Sequence, residues 1–114
     1  MATQFPILDP SQVDEILDGK GLVLLDFWQA TCPPCQALEP RLEAFTRRHR
    51  GEFAGYRVNI EADLDTPGRF GVMSLPTLVL LQDGTELGRR DGLIRDADLE
   101  SLLAEPSDSR QPVV

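Results

Sequence analysis

The chain has 114 residues, 41% of them apolar and 26% charged, a size and balance that fit one folded domain and exclude two domains, a fibrous repeat or a disordered chain. Its formal net charge of -8 opposes nucleic-acid binding, because phosphates repel an acidic surface. Met1 to Pro10 lack a basic start followed by an apolar stretch, and no apolar run approaches the roughly 20 residues that span a bilayer, so neither export nor membrane anchoring is expected.

Ser11 stands before Val13, Ile16 and Leu17, with Asp14 in the first turn, which predicts a capped amphipathic helix running to Gly19. Leu22 to Trp28 is apolar except for Asp26, as expected of a central strand covered on both faces. From Pro33 onward, Cys35, Leu38, Leu42 and Phe45 recur at three- and four-residue spacing and mark the buried stripe of a helix ending near Gly51. Arg47, Arg48 and Arg50 fall at its end, where cations complement the helix dipole, so they read as a solvated helix end.

Tyr56, Val58 and Ile60 alternate with Arg57 and Asn59, which predicts a second strand, and a short helix limited by Pro67 is expected around Leu64 to Phe70. Thr77 to Gln82 is a further apolar strand. Asp83-Gly84 is a two-residue hairpin signal that leads into a weaker strand near Glu86 to Asp91. Asp96 is a candidate cap for a last helix carrying Leu99, Leu102 and Leu103, which Pro106 ends. The domain is therefore expected over residues 1–106, with residues 107–114 a flexible tail. Strand, helix, strand, helix, hairpin and closing helix describe an α/β fold with one central mixed sheet flanked by helices.

Two cysteines three positions apart do not make the multi-bridge framework of a small secreted protein and read instead as a working pair in a reducing compartment. Cys32-Pro33-Pro34-Cys35 follows a buried strand and opens a helix. The free N–H groups and dipole of a helix start favour an anion, so the Cys32 thiol should ionise more readily than a free one and is the candidate nucleophile. Cys35 lies one turn further in, on the stripe of Leu38 and Leu42, and is the candidate resolving thiol. Proline is tolerated in a first helical turn, so Pro33 and Pro34 stiffen the motif; they also remove two donors near the Cys32 sulfur and leave the Cys35 N–H as the nearest one.

Asp26, a lone carboxylate in an apolar strand, has its pKa raised by desolvation and is a candidate proton acceptor for Cys35; a structural ion pair with Arg57 is an equally weighted and compatible reading. A zinc site would want four ligands, and the only further Cys or His is His49, so no metal is expected and His49 is read as a solvated helix-end residue. Trp28 reads mainly as packing that also shields the site. Met73 and Leu75 are either an exposed apolar rim or loop filling.

Over about Phe5 to Ala104 the sequence resembles the thioredoxins, through Asp26-Phe27-Trp28, Cys32 to Cys35, Pro40, Asn59-Ile60, Leu75-Pro76-Thr77, Asp83-Gly84 and Gly92. The resemblance implies the thioredoxin fold, a kink at Pro40 and a cis-proline at Pro76 packed against the disulfide. It also implies a substrate groove built from Trp28, Thr31, Pro33, Pro34, Leu75, Pro76 and Gly92, where an extended segment pairs with the backbone of Leu75 like an added strand.

By the same resemblance, Arg57 and Pro40 support the site, protein disulfides are the substrates, and a thioredoxin reductase or another dithiol donor returns the electrons. No cofactor is expected beyond the redox-active pair Cys32-Cys35, and the expected state is a cytoplasmic monomer. The sequence departs from the family at Thr31, where a tryptophan is usual, at Pro33 in place of glycine, at Arg57 in place of lysine and at Asp91 before Gly92. These departures imply a specialised or accessory member. Two rivals stand beside a disulfide reductase: a binding module or holdase on the same fold, and a disulfide oxidase or isomerase.

Overall fold

The structure is a computed structural model that describes residues 5–104. Its centre is β1 (Leu22–Trp28), in which the five residues Val23 to Phe27 are all buried. A strand covered on both faces suits a sheet interior, and β1 is flanked by β2 (Ala54–Asn59) in parallel and by β3 (Thr77–Gln82) antiparallel. With β4 (Thr85–Asp91) the four-stranded sheet runs β2-β1-β3-β4, so the mixed sheet flanked by helices expected from the sequence is what forms.

Alternation along the strands sorts the core into two layers. Leu24, Leu78 and Leu80 pack under α2 (Pro33–Arg48) and α4 (Asp96–Leu103), against Leu38, Leu42, Phe45, Leu99 and Leu102. On the opposite face Leu25, Phe27, Val58 and Val79 meet Val13, Ile16 and Leu17 around α1 (Val13–Asp18), together with Phe70 beside α3 (Thr66–Arg69). Asp26 shares the parity of Leu24 and so belongs to the face beneath α2.

The hairpin between β3 and β4 turns on Asp83 (φ 52°) and Gly84 (φ 81°). Two consecutive left-handed residues are the geometry of a type I′ turn, which the Asp-Gly pair predicts. A register shift between Leu80 and Leu81 interrupts the ladder with β4.

Local boundaries differ from expectation where a cap lies elsewhere. The entry to α1 is capped by Asp9, not Ser11: the Asp9 carboxylate accepts from the Ser11 N–H at 2.9 Å, and the turn Pro10–Gln12 precedes the helix. In α4, Asp96 is the first helical residue and the capping carboxylate is Asp98, which accepts the Arg95 N–H at 2.8 Å. α3 is a single turn, and its start is fixed by the buried Asp63, which accepts from the N–H groups of Asp65 and Thr66 and from the Thr66 hydroxyl. Ile60 lies past the end of β2.

The chain before α1 adds an edge contact that the sequence does not announce. Ile7 bridges Arg57 in parallel, with Leu8 N–H donating to the Arg57 carbonyl at 2.7 Å and Arg57 N–H donating to the Pro6 carbonyl at 2.8 Å. The expected domain end at residue 106 and the tail over 107–114 lie outside the described residues.

Candidate active site

Strand register gathers the candidate residues at one end of the sheet. Phe27 pairs with Thr77 and Thr77 with Asp91, so the loop after Trp28, the Leu75-Pro76 segment and Gly92 emerge side by side. The Leu75-Pro76 peptide is cis, as the resemblance implied. Gly92, at φ 74°, donates its N–H to the Pro76 carbonyl at 3.0 Å and ties the two segments together. Pro76 is buried, Leu75 is half-buried and Met73 is 95% exposed, so Met73 takes the exposed-rim alternative.

Cys32 is the N-cap of α2, in extended backbone, with Pro33 and Pro34 forming the first turn. Neither proline has an N–H, and the next amide, that of Cys35, donates to Cys32 Sγ at 3.2 Å. The two cysteines are joined in a disulfide, with Cα atoms 5.2 Å apart. They are unequal in access: Cys35 is 3% exposed, whereas Cys32 is half-buried and Thr31, Pro33 and Pro34 around it are exposed. Gln36 fastens the loop by donating its side-chain amide to the Ala30 carbonyl at 2.7 Å.

Within β1, on the face beneath α2, Asp26 is 2% exposed and directly opposite Arg57 in the β1–β2 register. Burial pushes the Asp26 carboxyl up to about 7, with the Arg57 charge pulling it down and the Glu39 charge pushing it further up. The ion pair expected between Asp26 and Arg57 forms, but as a long one: Arg57 Nε stands 4.0 Å from Asp26 Oδ2, while Arg57 Nη2 hydrogen-bonds Glu39 Oε2. The Arg57 guanidinium also lies over the Trp28 ring, 4.1 Å from its centroid.

Glu39 is the residue that sequence reasoning missed. Its signal was its place four residues after Cys35 on α2, beside the buried stripe, but a glutamate in a helix reads by default as a solvated side chain. Cys35, Gln36, Glu39, Arg57 and Trp28 share the wall of a recess of about 270 Å³. A larger hollow of about 460 Å³ lies away from the cysteines, between Phe5, Phe53 and the last turns of α2.

Pro40 is exposed inside α2, five residues past Cys35, and the helix runs through it to Arg48. His49 sits at the helix end as expected, with 21% of its side chain exposed, and makes contacts the sequence did not indicate. At the end of α2 it hydrogen-bonds Glu52 at 3.1 Å and Glu100 of α4 at 2.9 Å; burial opposes its charge, but the two carboxylates together raise its pKa. Among the described residues no group of three or more His, Cys, Asp or Glu is placed to hold a metal ion.

The thioredoxin family profile matches residues 6–105. A thioredoxin from Pseudomonas aeruginosa is 32% identical over 97 residues, covering 85% of this chain and 90% of its own. One from Alicyclobacillus acidocaldarius is 33% identical over 98 residues, covering 86% and 93%. Among solved structures, a single-site mutant of a thioredoxin from Halobacterium salinarum superposes with a TM-score of 0.74 at 26% identity, covering 100% of this chain and 98% of its own. With the fold, the Cys32–Cys35 pair and these relatives in agreement, the chain belongs to the thioredoxin family.

Proposed function

We propose that this thiol–disulfide oxidoreductase reduces protein disulfides, with Cys32 as the attacking thiol, Cys35 as the resolving thiol and Asp26 as the acceptor of the Cys35 proton. The observation that carries this reading is the inequality of the two sulfurs. Cys32 sits half-exposed at a helix start and accepts an N–H, whereas Cys35 is buried in the first turn of the helix that covers the sheet face to which Asp26, a carboxyl of raised pKa, belongs.

In the reduced protein the Cys32 thiolate attacks one sulfur of a substrate disulfide; a bond forms from Cys32 to that sulfur, and the other substrate sulfur leaves as a thiolate that takes a proton from water. Asp26 then accepts the proton of Cys35, whose thiolate attacks Cys32 Sγ. The Cys32–Cys35 bond forms, the bond from Cys32 to substrate breaks, and the second substrate sulfur leaves as a thiolate, which the proton held on Asp26 converts to the released thiol. Two electrons have passed to the substrate, and the pair ends oxidised. Near neutral pH a carboxyl with a pKa of about 7 is divided between its acid and base forms, which suits it to take and return a proton.

Substrate enters as an extended segment beside Pro76, with the backbone of Leu75 as pairing edge and Trp28, Thr31, Pro33, Pro34 and Gly92 around it. The convergence of these segments at one sheet end supports that groove. Arg57 and Pro40 are supporting residues. The redox pair serves without a further cofactor, and a thioredoxin reductase or similar dithiol donor restores it. The reading takes the protein as a monomer of the reducing cytoplasm; among the described residues no helix is long and apolar enough to cross a membrane.

The deciding experiment follows reduction of a disulfide-linked protein with dithiothreitol as donor. Wild-type protein should accelerate it well beyond dithiothreitol alone, and Cys32→Ser should abolish the acceleration. Turnover equal to dithiothreitol alone would turn the reading towards a binding module. An oxidising equilibrium potential against glutathione would turn it towards disulfide formation.

A further inference from the structure

Asp26 Oδ1, Trp28 Nε1, Glu39 Oε1 and Arg57 Nε are buried polar atoms with no hydrogen-bond partner among the described residues, and contacts through Arg57 join all four side chains in one cluster. Buried polar atoms are normally paired, and three of these side chains, Trp28, Glu39 and Arg57, line one recess with Cys35, so how they share their partners bears on the redox pair. The obvious pairing is Arg57 with Asp26. The two residues lie opposite each other in adjacent strands, and a guanidinium presents a fork that fits a carboxylate at two points.

The structure instead sends the guanidinium elsewhere. Its Nη2 is bonded to Glu39 Oε2 and its face rests on Trp28, which leaves Nε 4.0 Å from Asp26 Oδ2, beyond hydrogen-bond reach. The side chains involved are largely enclosed, with exposures of 14% for Arg57, 17% for Glu39 and 3% for Asp26. Solvent therefore screens their charges weakly. Among the described residues the charged groups acting on Asp26 are Arg57 from β2 and Glu39 from α2, the helix that also carries Cys35; β3 places the apolar Leu78 opposite it.

We propose that Glu39 is a positioning residue for the redox reaction: it holds the Arg57 guanidinium off Asp26 and so keeps the Asp26 carboxyl open to the proton of Cys35. This rests on the role of Asp26 given above and adds to it a residue that acts only through Arg57 and through its own charge. Both effects point the same way. Arg57 closed onto Asp26 would hold the carboxyl ionised to lower pH and make it a weaker base, whereas the Glu39 charge favours the protonated form.

The test uses the full chain and Glu39→Gln, which keeps the volume and removes the charge. Carboxyl-carbon NMR of the reduced protein reads the Asp26 titration, and the pH profile of substrate release from a pre-formed Cys32 mixed disulfide reads the chemistry. In Glu39→Gln the Asp26 midpoint should fall by about one unit or more, the shift expected when an arginine closes on a carboxylate. The rising limb of release should move with it, to a plateau several-fold lower. Glu39→Asp, which keeps the charge but draws it back by one methylene, should move the midpoint the same way by less. In an Arg57→Gln background, Glu39→Gln should move it less than half as far, because no guanidinium remains to be released.

An unmoved Asp26 midpoint in Glu39→Gln, an opposite shift in Glu39→Asp, or an equal shift with and without Arg57 would each overturn the proposal. The titration needs no turnover, so a failure of disulfide reductase activity and a failure of this inference are separately visible.

Discussion

The backbone N–H of Cys35 donates to the sulfur of Cys32 at 3.2 Å, and with prolines at the two positions between them no other amide of that first turn can do so. The helix start therefore offers the Cys32 sulfur one donor where an unsubstituted turn would offer two. Replacing Pro34 by alanine should restore the second. The Cys32 thiol pKa should fall by about one unit, because a hydrogen bond to the charged form favours it, and the pair should become more oxidising as its reduced form gains stability. Ultraviolet absorbance of the thiolate against pH reads the first effect and equilibration with glutathione the second; an unchanged thiol pKa would show that the amide at residue 34 does not reach the sulfur.

Asp26 makes stability depend on pH. Its folded pKa of about 7 stands above the ordinary carboxyl value of 3.8, chiefly through burial, so between those values the folded state holds a proton that the unfolded state has released. Unfolding free energy should therefore decline as pH rises from about 4 and level off above about 7, by on the order of 4 kcal/mol from this group. Asp26→Asn keeps the volume and has no charge to bury. It should flatten that decline and make the protein more stable than wild type at pH 8, while slowing turnover. Urea unfolding at pH 5 and pH 8 checks the sign, and a wild type as stable at pH 8 as at pH 5 would contradict it.

How far the sequence reveals such features depends on the range of the interaction. Leu22 to Trp28 and Thr77 to Gln82 were legible because a strand buried on both faces writes itself as an unbroken apolar run. Asp83-Gly84 was legible because only a few residue pairs accept two consecutive left-handed conformations. The Asp9 cap, by contrast, competes with Ser11 two residues away, and local preference does not rank two good capping residues. The His49 contact with Glu100 and the Arg57 contact with Glu39 join residues 51 and 18 positions apart. Charged side chains give no periodic signal, and only the packing of α2 over the sheet and against α4 brings these together. The cis peptide at Pro76 was reached through family resemblance alone, since an X-Pro sequence carries no mark of its isomer.

Gly84 joins the hairpin turn to the first helix. Its φ is +81°, and a Cβ added there would strike the backbone carbonyl of Leu17, in a region also held by Asp83, whose carboxylate accepts the Gly21 N–H at 2.7 Å. Gly84→Ala should cost about 2 kcal/mol or more, from left-handed strain plus displacement of rigid backbone, and lower the melting temperature by about 10 °C. Gly51→Ala is the control, because Gly51 has φ +85° with open space around it and should show the conformational part alone, about 1 kcal/mol. Calorimetry of the two variants separates strain from collision, and equal losses would remove the collision from the account.

Cys35→Ser should trap substrates as mixed disulfides on Cys32, and Cys32→Ser should trap almost none. The half-exposed Cys32 can meet a protein disulfide at the surface, and its thiolate is favoured by the helix start. Cys35, 3% exposed on the buried stripe of α2, can reach only the bond already made on its neighbour. Without Cys35 the first exchange goes forward and the second cannot, so the adduct accumulates; without Cys32 the shielded thiol has no access to a folded partner. Serine is small enough to keep the turn, and the Cys35 N–H that supports Cys32 belongs to the backbone and survives the change. Non-reducing electrophoresis of lysate pull-downs, with dithiothreitol releasing the captured proteins, reads both variants at once. Comparable adducts on the two variants, or none on either, would show that burial does not divide the roles of the cysteines.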